Sequence, residues 1–170
     1  MSCILTQGNN IGCGEFASPG GVKAIYLANN DDVTSITESV PGAGLDTILM
    51  DAGKTFFKYD FSKSSASFTQ TYSADNNSNT QVLTFGLPTY SQALREIYEE
   101  IAFASIIAIV ELRNNVRVIL GYGANTSGLE AQTIETASGA ALTDLNVTTF
   151  TLQAYGGVAE ILSNTTVIPV

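Results

Sequence analysis

The sequence contains no histidine and no tryptophan, and only seven of its 170 residues are Lys or Arg. Histidine is the usual group for proton transfer at neutral pH, because its pKa lies in that range. A serine or cysteine nucleophile would have no histidine to activate it. There is also no Gly-x-Ser-x-Gly motif and no Cys-x-x-Cys pair. We therefore expect neither catalysis nor a bound cofactor or metal ion.

Charge is also scarce, at 14% of the residues, where roughly 25% is typical of soluble domains. The formal net charge is −9, which opposes simple binding to a nucleic-acid backbone. Hydroxyl and amide side chains can keep such a chain soluble. Alternatively, much of its surface is buried in an assembly, since interface cores are depleted in charge. The composition favours a structural or assembly protein over an enzyme.

The sequence also shows no recognisable targeting segment. The first ten residues have neither a basic region nor a long apolar stretch, which predicts that there is no secretory signal peptide. The longest apolar run, residues 101–110, is shorter than the ~18 residues of a membrane span. We expect synthesis in the cytoplasm of the producing cell and no membrane span. Cys3 and Cys13 are interpreted as reduced thiols, with a disulfide between them as the alternative.

The length suits one domain, residues 1–170, in which the Gly-rich residues 1–21 form an N-terminal arm. Residues 22–28 predict a first strand, which ends at the turn signal Asn29, Asn30, Asp31 and Asp32. The Asp pair is interpreted as part of a solvated turn. Residues 33–52 have mixed signals: residues 34–37 are β-prone and residues 45–50 are a candidate short strand. Together they predict a long, partly structured loop.

A polar β-hairpin is predicted next, with arms at residues 66–73 and 80–87 and a tip at 75–79. Its first arm alternates Phe68, Gln70 and Tyr72 with small hydroxyl residues, and residues 55–59 are a candidate beginning of the same hairpin. Neither face of the hairpin is wholly apolar. The sequence therefore leaves open whether only one face is packed.

One helix is predicted over residues 90–102, where Leu94, Ile97, Tyr98 and Ile101 share a stripe at helical spacing. Thr89 and Gln92 resemble a capping box at its start. A second, apolar hairpin follows at 104–112 and 116–122, and its high apolarity predicts a central position. Its Asn114-Asn115 turn is a candidate two-residue type I′ turn, because Asn tolerates positive φ.

Further strands are predicted at residues 131–136, 147–155 and 158–162, which makes eight to ten strands with one helix. Such short links fit antiparallel connections only. The predicted fold is mainly β: an antiparallel β-sandwich or squashed barrel with one flanking α-helix at about residues 90–102.

This order of elements resembles the tail tube proteins of tailed phages and the related tube proteins of contractile injection machines. The segments ADNNSNTQVLTFGLPTYSQALREIYEEI and GYGANTSGLEAQTIETASGAALTDLNVTTFTLQA also look like structural proteins of phages of Bacteroidota-type hosts. The resemblance implies hexameric rings that stack into a hollow tube in the virion tail, together with other tail proteins. Strands of each subunit would join edge to edge into an inner barrel. An acidic lumen would let DNA pass without sequence-specific binding.

On this resemblance, the polar hairpin would line the lumen, and the arm and residues 29–53 would bridge to neighbouring rings. The hairpin carries one charge, at its tip, so lumenal charge must come from elsewhere in the chain. The candidate assembly residues are Asp75, Asn76, Asn77, Phe68, Gln70, Tyr72, Asn29, Asn30, Asp31 and Asp32.

Two alternatives remain open. One is a capsid-decorating or head–tail joining protein, which would share the β-rich, charge-poor and oligomeric character. The other is a carbohydrate-binding β-sandwich that uses exposed aromatic residues near Asp or Asn, although the absence of Trp counts against it. Its candidate aromatic residues are Tyr72, Tyr90, Tyr122 and Tyr155.

Overall fold

A computed structural model describes residues 20–39, 44–61, 65–75, 77–88, 91–123, 126–139 and 146–170. Asn76, Thr89, Tyr90, both cysteines and most of the predicted N-terminal arm lie outside these ranges. The strands are β1 (Val22–Asn29), β2 (Val33–Thr37), β3 (Thr47–Met50), β4 (Phe57–Tyr59), β5 (Ser67–Ser73), β6 (Ser78–Pro88), β7 (Ile106–Leu112), β8 (Arg117–Leu120), β9 (Glu130–Ala137), β10 (Val147–Gly156) and β11 (Glu160–Leu162), and the helix is α1 (Gln92–Phe103).

These strands form two main sheets, and all their pairings are antiparallel. The five-stranded sheet has the order β11-β8-β7-β1-β4, and the four-stranded sheet has the order β5-β6-β10-β9. A separate ribbon joins β2 to β3. The predicted fold class, an antiparallel β-sandwich with a flanking helix, is confirmed.

The core between the sheets follows from strand alternation. On β10, Thr148, Phe150, Leu152 and Ala154 are buried, whereas the residues between them are partly exposed. Phe150 stacks on Phe85 of β6 with ring centroids 5.3 Å apart. The polar strands therefore present one apolar face inward and one polar face outward.

The central strand of the five-stranded sheet, β7, is buried on both faces, as its continuous apolar run indicates. On its outer side, Ile107, Ile109 and Ile119 pack in a second cluster with Ile36 of the ribbon and Leu162 of β11. The predicted central position of the apolar hairpin is confirmed. The segment predicted as a long, partly structured loop contains the β2–β3 ribbon, which covers part of this sheet. The two ribbon strands overlap the predicted β-prone residues 34–37 and the candidate strand at 45–50.

The helix packs against the core through Leu94 and Ile101, which are buried, while Ile97 is half-buried and Tyr98 is 36% exposed. The predicted capping box is wrong, because α1 begins at Gln92 and its N-cap is Ser91. The Ser91 hydroxyl accepts a hydrogen bond from the Leu94 backbone N–H at 3.2 Å. The helix lies beside β9, an edge strand of the four-stranded sheet, and beside β4, an edge strand of the five-stranded sheet.

Two local predictions are corrected by non-local pairing and turn geometry. Residues 57–59 form β4, which pairs with β1 in the five-stranded sheet and takes no part in the polar hairpin. The Asn114-Asn115 turn is not a two-residue type I′ turn. Such a turn needs a positive φ at both residues, and here only Asn115 has one, of 61°. Its N–H bonds the Leu112 carbonyl at 3.0 Å, so three residues connect the strands, as in a type I turn followed by a left-handed residue.

One buried amide joins the two sheets. Gln81 of β6 is 1% exposed; its Nε2 donates to the Gly157 carbonyl at 2.6 Å and its Oε1 accepts from the Gly121 N–H at 3.0 Å. We expect Gln81→Leu to lower the free energy of unfolding by about 2–4 kcal/mol, because the buried Gly121 N–H and the partly buried Gly157 carbonyl lose their partners. Urea denaturation measures this. Gln153→Leu on the outer face is the control and should change it by less than about 0.5 kcal/mol; equal effects would contradict the prediction.

Candidate assembly interface

The outward face of the four-stranded sheet is rich in hydroxyl groups. The strand registers place Ser67, Thr84, Thr151 and Thr133 in one row across all four strands, with roughly 4.8 Å between neighbouring strands. All four side chains are exposed or half-exposed. We call this surface the hydroxyl face, and its members are Ser67, Thr69, Thr71, Thr80, Val82, Thr84, Glu130, Thr133, Glu135, Thr149, Thr151, Gln153 and Tyr155.

Only acidic charge occurs on the hydroxyl face. Glu130 lies opposite Gln153 and Glu135 opposite Thr149, so both carboxylates come from β9, and both are exposed. Of the described residues on this face, none is Lys or Arg. Acidic charge is thus available next to the polar hairpin, although the hairpin itself carries none along its strands.

The two edges of the four-stranded sheet are long. No described strand pairs with the outer side of β5, which has seven residues, or of β9, which has eight. By contrast, the edge strands of the five-stranded sheet, β4 and β11, have three residues each. Proteins usually protect long edges with charge, proline or bulges, because unpaired backbone groups attract other strands. The segment SFTQTYS of β5 contains none of these protective residues.

The predicted candidates on β5 point away from the hydroxyl face. Phe68 packs against the core, and Gln70 Oε1 accepts a hydrogen bond from the Ala159 N–H at 2.9 Å. The Tyr72 hydroxyl donates to Asn77 Oδ1 at 2.8 Å, although the residue is 60% exposed. These three side chains therefore make contacts within their own chain. On its outer side, β5 exposes its backbone edge and its Ser and Thr side chains.

The remaining candidates form the hairpin tip and the turn after β1. Asp75 and Asn77 are exposed at the tip, where Asn77 has a φ of 50°, and Asn76 lies outside the described residues. In the turn, Asn30–Asp32, the Asn30 N–H donates to the Ser105 carbonyl at 2.8 Å. No direct contact between tip and turn is found in the described ranges.

Asp32 is tied into its own turn, next to the exposed Asp31. It accepts a hydrogen bond from Asn29 Nδ2 at 2.9 Å and pairs with Lys54 at 3.1 Å. The Asn29 hydrogen bond, followed by that from Lys54, lowers the pKa of the Asp32 carboxyl below its usual value. These contacts give the turn a defined shape at the surface.

The tyrosines considered for carbohydrate binding have other partners. The Tyr122 hydroxyl accepts from the Ile36 N–H at 2.8 Å and donates to the Ile36 carbonyl at 2.9 Å, so it anchors β2 to the main sheet. Tyr72 bonds the hairpin tip, Tyr155 lies on the hydroxyl face, and Tyr90 is outside the described residues. The described tyrosines do not form a common aromatic platform.

Sequence reasoning missed the contribution of β9 and β10 to the hydroxyl face. The alternating threonines of VTTFTLQ were a usable signal for an outward polar stripe, but the pairing of these strands with β6 was not evident. No protein-family model, curated protein or solved structure matches the chain. In the described ranges, no helix is long and apolar enough to cross a bilayer, and no three metal-binding side chains lie together.

Proposed function

We propose that this chain is a virion structural protein, a subunit of a phage tail tube whose four-stranded sheets join edge to edge into the inner barrel. The observation that carries the proposal is the pair of long edges, β5 and β9, on opposite sides of one sheet, with which no other described strand pairs. The helix α1 lies beside β9. Joining the two edges would satisfy the backbone groups of both in every subunit. The short edges of the five-stranded sheet offer no comparable surface.

Strand direction supports closure of such a ring. Four strands that alternate in direction leave β5 and β9 pointing in opposite senses. Rotation about an axis along the strands would bring β5 of one copy beside β9 of the next, and this contact would also be antiparallel. The same contact, repeated from copy to copy, closes a cyclic ring if the rotation that relates neighbouring copies is a whole fraction of 360°. The barrel would then be antiparallel throughout.

The expected size is compatible with six subunits, the number that the resemblance implies. Six copies would supply about 24 strands, and with a tilt of roughly 40° the backbone circle would be about 48 Å wide. A DNA duplex is roughly 20 Å across and would fit inside the side chains of such a barrel. Three copies would give only about 24 Å at the backbone, which is too narrow once side chains are included.

The chemistry of the hydroxyl face suits a lumen for DNA. Its threonines are polar without being cationic, and Glu130 and Glu135 would repel phosphates. DNA would therefore pass without sequence-specific binding. Rings would stack in the virion tail with other tail proteins, and the role would be structural rather than enzymatic.

Negative-stain electron microscopy of the purified chain, with light scattering for mass, tests the proposal. Six-fold rings or hollow filaments are the expected result. A chain that stays monomeric at all accessible concentrations would contradict edge-to-edge closure. A stable trimer without rings would instead favour decoration of a capsid.

A further inference from the structure

The strands of both sheets begin and end at the same two ends of the molecule. At one end, Gln81 of β6 accepts a hydrogen bond from the N–H of Gly121, which follows β8. At the other end, Tyr59 of β4 and Leu87 of β6 border one cavity. We call the end with the Asn30–Asp32 turn the upper end, and the end with the turn at Arg113 the lower end.

Cationic side chains are concentrated at the lower end. A cavity of about 230 Å³ lies there between β1, β4 and the turn after β7. Of the six described Lys and Arg residues, four lie in or next to this region: Lys23, Lys58, Arg113 and Arg117. Glu111 pairs with Lys23 at 2.6 Å, and Asp60 pairs with Lys58 at 3.5 Å. The exposed Arg113 guanidinium has no carboxylate partner among the described residues.

The upper end is acidic. Its described carboxylates come from the turn after β1, the ribbon, the hairpin tip and the starts of β9 and β11: Asp31, Asp32, Asp51, Asp75, Glu130 and Glu160. The one described cation there is Lys54, which pairs with Asp32 at 3.1 Å. Asp31 and Asp51 are exposed. The upper end therefore has an excess of negative charge.

Two further carboxylates belong to the other end of the ribbon. Glu38 accepts a hydrogen bond from the Gly44 N–H at 3.1 Å, and Asp46 follows Leu45, whose N–H bonds the Ile161 carbonyl of β11. These groups lie beside β11, whereas the cationic cavity lies at β1 and β4, at the opposite side of the same sheet. They leave the charge of the cavity unchanged.

We infer that copies of this chain associate head to tail, with the lower end of one copy against the upper end of the next. The net charge of −9 makes most surfaces of two copies repel each other. The lower end is the described region where carboxylates of a second copy are attracted, and its complement is the acidic upper end. Contacts between two upper ends would bring like charges together.

The inference rests on the proposed function, because it assigns the contact between successive rings of the tube. In a ring whose axis follows the strands, all lower ends form one rim and all upper ends form the other. The resemblance predicts that residues 29–53 reach a neighbouring ring, and the charges identify the surface that they meet as the region around Arg113. A single exposed ion pair is weak, but a ring repeats the contact once per subunit, so the effects multiply.

Charge reversal at each end tests the inference. Arg113→Glu acts at the lower end and Asp31→Lys at the upper end, and both residues are exposed. Lys54→Glu is the matched control, because it makes the same change of charge as Arg113→Glu but at the acidic end. Negative-stain electron microscopy counts single rings and stacks, sedimentation velocity over a series of concentrations measures stacking, and urea unfolding checks the fold of each variant.

We expect Arg113→Glu and Asp31→Lys each to form rings and to need at least about tenfold more protein to stack, whereas Lys54→Glu should stack at least as well as the unmodified chain. A general effect of net charge would instead weaken stacking in Lys54→Glu and strengthen it in Asp31→Lys. Stacking should also weaken between 0.1 and 1 M salt, because the screening length falls from about 10 Å to about 3 Å.

Rings of Arg113→Glu or of Asp31→Lys that stack like those of the unmodified chain would overturn the inference and leave the proposed edge contact intact. Equal losses in Arg113→Glu and Lys54→Glu would also overturn it, since the position of the charge would then not matter. If the unmodified chain forms no rings, the proposed function fails, and this inference fails with it.

Discussion

Proline at the outward-directed amide of β5 is expected to leave a folded chain that does not form the proposed rings. Successive residues of an edge strand direct their N–H groups to opposite sides, so one of Thr69 and Gln70 bonds β6 and the other points outward. Proline is tolerated where the N–H faces solvent, but it cannot donate to an added strand. Of Thr69→Pro and Gln70→Pro, one should therefore keep cooperative unfolding and lose assembly by at least tenfold.

Thr69→Val is the control for this experiment, because it keeps the backbone amide and changes only the side chain. It should assemble like the unmodified chain. Size-exclusion chromatography with light scattering reports assembly, and urea unfolding reports folding of each subunit. If both proline variants fold and assemble normally, the β5 edge is not part of the subunit contact, and the proposed ring would lose its main support.

Replacement of Ile101 by Asp is expected to unfold the domain. Ile101 is 3% exposed and belongs to the core between the sheets. The variant would lose apolar burial and place a carboxylate in the core, at a cost of more than about 4 kcal/mol. Since small domains have total stabilities of roughly 5–15 kcal/mol, this is a large fraction.

Ile97→Asp is the graded comparison, because Ile97 is only half-buried and lines an open cavity between α1 and β4. Its expected cost is about 1–2 kcal/mol, and the double variant Ile97→Asp/Ile101→Asp should be unfolded. Circular dichroism during thermal denaturation measures all three. A double variant that melts cooperatively near the temperature of the unmodified chain would show that α1 does not pack as described.

The elements with local signals were predictable from the sequence. The polar hairpin follows from period-two alternation around Asp and Asn residues, and α1 follows from the stripe that contains Leu94 and Ile101. Pairing between distant segments was not predictable in the same way. Residues 57–59 are too short to reveal a partner, and they join β1 only because its edge is free in the folded sheet.

The hydroxyl face shows the same limit at the candidate site. Thr69, Thr84, Thr133 and Thr151 are far apart in the chain, and only the registers of β5, β6, β10 and β9 place them on one surface. The residues predicted on β5, such as Tyr72 and Gln70, have more distinctive side chains. In the structure, both side chains form hydrogen bonds within their own chain. The hydroxyl face consists mainly of threonines, which are less distinctive in the sequence.

The unequal edge lengths of the two sheets have a mechanical consequence. In the proposed ring, the backbone hydrogen bonds of β5 and β9 would carry load around the circumference, continuous with the bonds inside each subunit. Resistance to swelling under internal pressure would then come from the peptide backbone, whatever side chains line the wall. Contacts between rings have no such backbone reinforcement from these edges. Under tension along its axis, the tube would therefore part between rings before any single ring opened.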